Sequence, residues 1–229
     1  MIVKPMPAIK GILETSFIDW PGRMCAVLFL GGCNFRCPFC HNHPLVLHPS
    51  TFESHALADV LLRLAPYRKW FDAICISGGE PTLQPGLQRM LKTLKSKNWA
   101  IKLDTNGSRP EVLTALLEDG LLDMISMDVK APLELSIYNR CAGLQVDLDS
   151  IRKSIALILE SRIDHEFRMT VLPGWHSRND IIQWRDTLAG SRRLTLQNFN
   201  PRTTLAPDLE RQAGFAPEIF AEFKALLTQ

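Results

Sequence analysis

Short apolar runs alternate with segments of helical periodicity along most of the chain. Cys25-Ala-Val-Leu-Phe-Leu30 is apolar throughout, as a strand buried on both faces requires. Ala73–Ser77, Ala100–Leu103, Met124–Met127, Glu166–Val171 and Arg193–Asn198 repeat that strand pattern. Between them, Leu57, Val60, Leu61 and Leu64 recur at helical spacing, as do Leu87, Met90, Leu91 and Leu94, then Val112, Leu113, Leu116 and Leu117. Further helices are expected over about Leu133–Cys141, Ser150–Glu160, Asn179–Leu188 and Pro217–Leu227. Ser50-Thr-Phe-Glu53 has the form of a capping box ahead of the first helix. Residues 10–24, with a turn at Pro21-Gly22, read as an entry loop whose Trp20 packs over the barrel end. About six strand–helix units with short connections imply an α/β protein, a parallel sheet covered by helices, barrel-like or doubly wound. No linker, low-complexity tract or close repeat interrupts the pattern, so 1–229 is expected to be a single domain.

The stretch Gly31-Gly32-Cys33-Asn34-Phe35-Arg36-Cys37-Pro38-Phe39-Cys40-His41-Asn42 directly follows the first of these strands and places three cysteines within eight positions, spaced C-x3-C-x2-C. Thiolates that close in the chain can share one metal centre. Cys37-Pro-Phe-Cys40-His41 also matches the C-x-x-C-H pattern of haem attachment, and Cys37 with Cys40 matches a redox pair or half a zinc site. Haem attachment needs an oxidising compartment, and the N-terminus Met1–Lys10 lacks the continuous apolar core of a secretory signal. A zinc site would need a fourth ligand at finger-like spacing; His41 or His43 could serve, but no second C-x2-C or H-x3-H pair is present. An iron–sulfur cluster held by three thiolates is the third reading, and it leaves one iron open. No apolar run approaches membrane-spanning length, so a cytoplasmic protein is expected. There, six cysteines suit metal binding or catalysis better than disulfides. Cys25, Cys75 and Cys141 stand singly and read as buried small hydrophobes. Lys plus Arg total 26 against 24 Asp plus Glu, a balance that argues against a dedicated nucleic-acid binder.

Polar residues gather where the strands end. Ser77-Gly78-Gly79-Glu80, Asp104-Thr105-Asn106-Gly107 and Asp128-Val129-Lys130 each close an apolar run, Arg168 lies within the fifth strand, and Asn198 ends the sixth. In barrel enzymes the active site forms at that C-terminal rim. Each motif also has a plainer reading. Gly78-Gly79 could be a tight turn, Glu80 a first-turn helix residue, Asp104 and Asn106-Gly107 turn residues, and Asp128 with Lys130 a structural ion pair. His41 and His43 read as loop residues, and Met90, Met124 and Met127 fit core positions.

These residues together are recognisable. Cys33-x3-Cys37-x2-Cys40, with Phe39 before the third cysteine, resembles the signature of radical S-adenosylmethionine enzymes, and Gly78-Gly79-Glu80 resembles their GGE motif. Thr15-Ser-Phe-Ile-Asp19-x-Pro-Gly22, Cys40-His-Asn42, Asp104-Thr-Asn-Gly107 and Asp128-x-Lys130 resemble the activating enzymes of glycyl-radical proteins. Among these the chain is most similar to the anaerobic ribonucleoside-triphosphate reductase activating proteins, with pyruvate formate-lyase activating enzymes nearby. One departure is that Asn42 is followed by His43-Pro44, where related enzymes often have proline directly.

The resemblance implies a side-open partial (β/α)6 barrel. It implies a [4Fe–4S] cluster on Cys33, Cys37 and Cys40, its open iron chelated by the methionine part of S-adenosyl-L-methionine. Glu80 and the Gly78-Gly79 backbone would hold the cofactor's amino group. Lys130 and Arg168 would face its carboxylate or ribose, and Phe39 and the region of Asn198 would lie near adenine. Asp104, Thr105 and Asp128 would offer oxygens to a monovalent cation. No catalytic side chain is expected beyond the cluster and cofactor. The implied activity is reductive cleavage of S-adenosylmethionine to a 5′-deoxyadenosyl radical, which takes a glycine Cα hydrogen from a partner protein. That partner is expected to be anaerobic ribonucleotide reductase, with flavodoxin or ferredoxin as electron donor and no nucleic acid or membrane involved. An activase of another glycyl-radical enzyme of the pyruvate formate-lyase type, a radical enzyme acting on a small molecule, and a cluster- or zinc-stabilised binding protein remain as other readings.

Overall fold

The computed structural model describes residues 5–228; residues 1–4, part of the N-terminal stretch weighed above for an export signal, lie outside it. Among the described residues seven strands form one sheet in chain order: β1 (Ile9–Ser16), β2 (Cys25–Leu30), β3 (Ala73–Gly78), β4 (Ala100–Thr105), β5 (Met124–Asp128), β6 (Asp164–Val171) and β7 (Leu194–Asn198). β1 and β7 are its edges, so the sheet is open. Among the described residues eight helices accompany them: α1 (His43–Leu47), α2 (Leu57–Leu64), α3 (Leu87–Lys95), α4 (Pro110–Glu118), α5 (Leu135–Ala142), α6 (Leu148–Glu160), α7 (Arg178–Thr187) and α8 (Pro217–Ala225). The expected α/β alternation is therefore present. Among the described residues no helix is long and apolar enough to cross a membrane.

The chain forms two compact units, each assembled from three segments. The first runs to Asn34, resumes over Pro44–Thr105 and ends with Glu111–Ile125. In it β2, β3 and β4 are parallel neighbours, with Leu30 opposite Gly78 and Ile76 opposite Leu103. Trp20, Cys25, Val27, Ala73, Cys75 and Met124 make one continuous core cluster. α3 buries Leu87, Met90, Leu91 and Leu94, each on the order of 1.5–3 kcal/mol of apolar burial.

Two expectations fail in this unit. Residues 10–24 are not simply an entry loop, because Ile9–Ser16 is a strand paired antiparallel to β2. Its register shifts between Ile9 and Gly11 and again between Leu13 and Ser16. These shifts, with Gly11 inside, erase the two-residue alternation by which an edge strand is recognised. Trp20 is buried as expected, but against β2 and β3. Nor does Ser50–Glu53 cap α2. Pro49–Thr51 is a single 3-10 turn, and the N-cap of α2 is Ala56, with no side-chain hydrogen bond.

The second unit contains Phe35–His43, Asn106–Pro110 and the chain from Ser126 onward. β6 and β7 pair in parallel, with Val171 opposite Asn198. Asp147 caps α6 by accepting from the Asp149 amide, and Ser177 with Asp180 forms a reciprocal capping box on α7. Trp184 on α7 is fully buried, and its indole donates to the Val129 carbonyl at 2.9 Å.

Candidate active site

In the first unit, β2 and β3 fix where the cysteine stretch begins. The Gly79 amide donates to the Leu30 carbonyl and the Glu80 amide to the Gly32 carbonyl, both at 2.8 Å. The Gly32 amide donates to the Leu45 carbonyl at 3.0 Å, and the Gln84 side chain to the Gly31 carbonyl at 2.7 Å. A Cβ on Gly78 would stand 2.3 Å from the Leu30 oxygen, and one on Gly79 would stand 1.9 Å from the Gly32 oxygen. The paired glycines are thus required because backbone lies directly against backbone. This is a stronger demand than the tight turn that the sequence alone allows.

Glu80 follows and is 1% exposed. Its Oε1 accepts from the Thr82 amide at 3.1 Å, the Thr82 hydroxyl at 2.5 Å and the Thr105 hydroxyl at 2.8 Å. Three donors thus converge on one oxygen of the carboxylate just beyond β3. Asp104 accepts from the Ser77 hydroxyl at 3.0 Å and forms an ion pair with Lys102. Thr82 and Lys102 were not singled out from sequence, and Ser77 was named only as the first residue of a strand-end motif. Lys102 did leave a signal: it is the only charge in Ala100-Ile-Lys-Leu103 and lies two residues before Asp104, on the same strand face.

The loop enters the second unit after Asn34. The Arg36 amide donates to the Ala142 carbonyl at 2.8 Å, and the Ala206 amide to the Pro38 carbonyl at 2.9 Å. Gly143 adopts φ +71° after α5, and a Cβ there would stand 2.0 Å from the Arg36 oxygen. The Cys40 amide donates to the Cys37 carbonyl at 3.0 Å, closing a turn that carries both thiols. Phe39 is buried, its ring edge-on to Trp175 with centroids 6.3 Å apart. His41 Nε2 hydrogen-bonds the Asn200 carbonyl at 2.7 Å, so it anchors the loop, and His43 opens helix α1. The departure at His43-Pro44 is therefore a helix start, where proline is favoured because the first turn needs no amide donor.

Asp128 lies between two cations, 2.9 Å from Lys130 Nζ and 2.8 Å from Arg168 Nε. Burial opposes its charge, but Arg168 and Lys130 outweigh that, and its carboxyl stays well below the usual carboxylate range. Burial likewise opposes the charge on Lys130, yet Asp128 and then Cys37 hold its ammonium well above the ordinary lysine range. Burial pushes the Cys40 thiol up, with Lys130 the leading influence in the other direction. Behind Arg168 is a buried carboxylate that sequence reasoning missed: Glu166 accepts from Ser126 at 2.5 Å and from Thr195 at 3.3 Å, and lies 4.0 Å from the guanidinium. Asn198 uses both ends of its amide on Phe215, donating to its carbonyl at 2.8 Å and accepting from its amide at 2.9 Å.

The remaining cysteines are of a different kind. Cys25, Cys75 and Cys141 are fully buried, and desolvation pushes the Cys25 and Cys141 thiols up to about 12, so both stay protonated. Among the described residues no three His, Cys, Asp or Glu side chains form a ready-made metal site. What fits an iron–sulfur cluster is the donor set itself, three cysteines in one clamped loop with a lysine beside them. The oxygens expected to bind a monovalent cation fit less well, since Asp104 and Asp128 each already face side-chain cations.

A family model described as the Radical SAM superfamily matches residues 27–184. A Methanocaldococcus jannaschii protein provisionally named a glycyl-radical enzyme activating enzyme is 33% identical over 202 residues, covering 85% of this chain and 80% of that one. Two other relatives match over shorter stretches. A 7-carboxy-7-deazaguanine synthase of Neisseria meningitidis is 41% identical over 92 residues, 40% of each chain. The pyruvate formate-lyase-activating enzyme of Staphylococcus aureus is 33% identical over 94 residues, 39% of this chain and 37% of that one. Among solved structures, Streptococcus suis SuiB bound to the precursor peptide SuiA superposes with a TM-score of 0.68 at 15% identity, covering 88% of this chain and 44% of that one.

Proposed function

Because the chain belongs to the Radical SAM superfamily, we propose that it is a glycyl-radical activase whose target is anaerobic ribonucleoside-triphosphate reductase. The observation that carries the activase reading is the match at 33% identity over 85% of the chain to the archaeal activating-enzyme relative. The choice of target rests on the motif resemblance of Thr15–Gly22, Cys33–Asn42, Asp104–Gly107 and Asp128–Lys130.

In this reading Cys33, Cys37 and Cys40 are the three ligands of a [4Fe–4S] cluster. Held there, the group would supply one-electron reductive cleavage of S-adenosylmethionine and, through it, hydrogen removal from a glycine Cα of the partner, with a flavodoxin or ferredoxin as the electron source. The chain's own residues bind and orient. Lys130 offsets part of the charge that Cys37 and Cys40 would carry as cluster ligands. Glu80, locked by Thr82 and Thr105, meets the amino group of S-adenosylmethionine beside the Gly78-Gly79 backbone. Lys130 and Arg168 meet its carboxylate or ribose, while Phe39 and the Asn198 region border adenine, Asn198 acting through the backbone it staples. No side chain needs to move a proton.

The test is anaerobic reconstitution with iron and sulfide, then dithionite and S-adenosylmethionine. Formation of 5′-deoxyadenosine is expected, and with the reductase present the doublet of a glycyl radical in the electron paramagnetic resonance spectrum. Cleavage without a doublet on the reductase, but with one on pyruvate formate-lyase, would move the target. The similarity to 7-carboxy-7-deazaguanine synthase favours a second reading, a radical enzyme acting on a small molecule. Cofactor cleavage with no doublet on any glycyl-radical protein would favour it.

A further inference from the structure

Lys102 is a charged residue inside an apolar strand, and its side chain is wholly buried. An ammonium in that position persists only with a partner. Its partner is Asp104, two residues on and on the same face of β4. The Cys75 sulfur, 3.8 Å from the ammonium, offers little compensation. Asp104 is itself nearly buried, and its second oxygen accepts from Ser77, the residue before Gly78-Gly79-Glu80. The Lys102 ammonium already faces the Asp104 carboxylate. A metal cation added against Asp104 would have to compete with that buried ammonium, which is costly. Asp128 already carries two cationic partners.

We propose that the Lys102 ammonium is the resident counter-ion of Asp104, so that the chain needs no inorganic monovalent cation there. Lys102 is then a positioning residue. Through Asp104 and Ser77 it ties the end of β4 to the strand that delivers Glu80, and the neighbouring Thr105 grips the Glu80 carboxylate. This inference holds whichever partner the enzyme activates, and its test does not use activity.

Thermal unfolding of the reconstituted protein is compared in sodium, potassium and tetramethylammonium chloride at equal ionic strength. The wild-type midpoint is expected to be the same in all three, since no site waits for a small ion. Lys102→Met should unfold at a lower temperature in tetramethylammonium and regain part of the loss, saturably, in sodium or potassium. The double variant Lys102→Met/Asp104→Asn should regain stability without any ion preference. Sodium-23 line widths with wild-type protein give a reading that needs no variant, and no broadening relieved by potassium is expected. A saturable, size-selective rise in the wild-type midpoint, or such broadening, would overturn the proposal. So would a Lys102→Met variant whose loss is the same in every salt.

Discussion

At the level of single residues, the cysteines divide by environment rather than by number. Cys33→Ala, Cys37→Ala and Cys40→Ala should each abolish 5′-deoxyadenosine formation. Cys75→Ala, a fully buried change, should retain it at some cost in stability. His176 gives a pH dependence of folding. Its Nδ1 accepts the Leu172 amide at 3.1 Å, and Nε2 lies 3.5 Å from the Cys141 sulfur. Desolvation lowers it from 6.5 to about 4. As pH falls, the unfolded chain binds the proton first, so the stability is complete above about 6.5 and lost between there and about 4. The loss should be about 3 kcal/mol in urea unfolding, and His176→Asn should flatten that part of the profile. Gly143→Ala tests the loop clamp. Its methyl would enter the Arg36 carbonyl at a left-handed backbone position, so a destabilisation of about 2–4 kcal/mol and poor iron retention are expected.

At the level of elements, most of the fold was legible because buried parallel strands and amphipathic helices obey simple periods. β2 through β7 and the helices α2 through α8 fall within a few residues of their apolar patterns. β1 escaped because its two register shifts remove the period. The capping box at Ser50 was a false signal, since the motif is local and Pro49 directs the chain into a 3-10 turn. The true box, Ser177 with Asp180, has Asp where the usual motif has Glu or Gln. Ser177→Ala should cost about 1 kcal/mol of unfolding free energy without changing cofactor cleavage. At the site, the residues with motif spacing could be read, whereas their supports could not. Thr82, Trp175, Glu166 and Gly143 act through tertiary contacts that no local pattern announces.

For the molecule as a whole, the two units are interleaved in sequence, and this bears on what can be expressed alone. The chain from 126 to 229 is contiguous and contains β6, β7 and four helices. It lacks residues 35–43 and 106–110, which belong to the same unit. Without them Ala142 and Ala206 lose their partners Arg36 and Pro38, and the buried Ser154 hydroxyl loses the Gly107 carbonyl at 2.6 Å. Such a fragment should show poor amide dispersion and no cooperative unfolding transition, since buried polar groups left unmet are costly. A cooperative transition in the fragment would mean that those segments are accessories.

The contact between Gly79 and Gly32 has a genetic consequence. Gly79 is not held at an unusual backbone angle; its constraint is purely the space its side chain does not occupy. Every other amino acid brings a Cβ to the same place, so no substitution there is conservative. All four codons beginning GG encode glycine. A lineage that keeps this seat for the loop can therefore drift at codon 79 only in its third base.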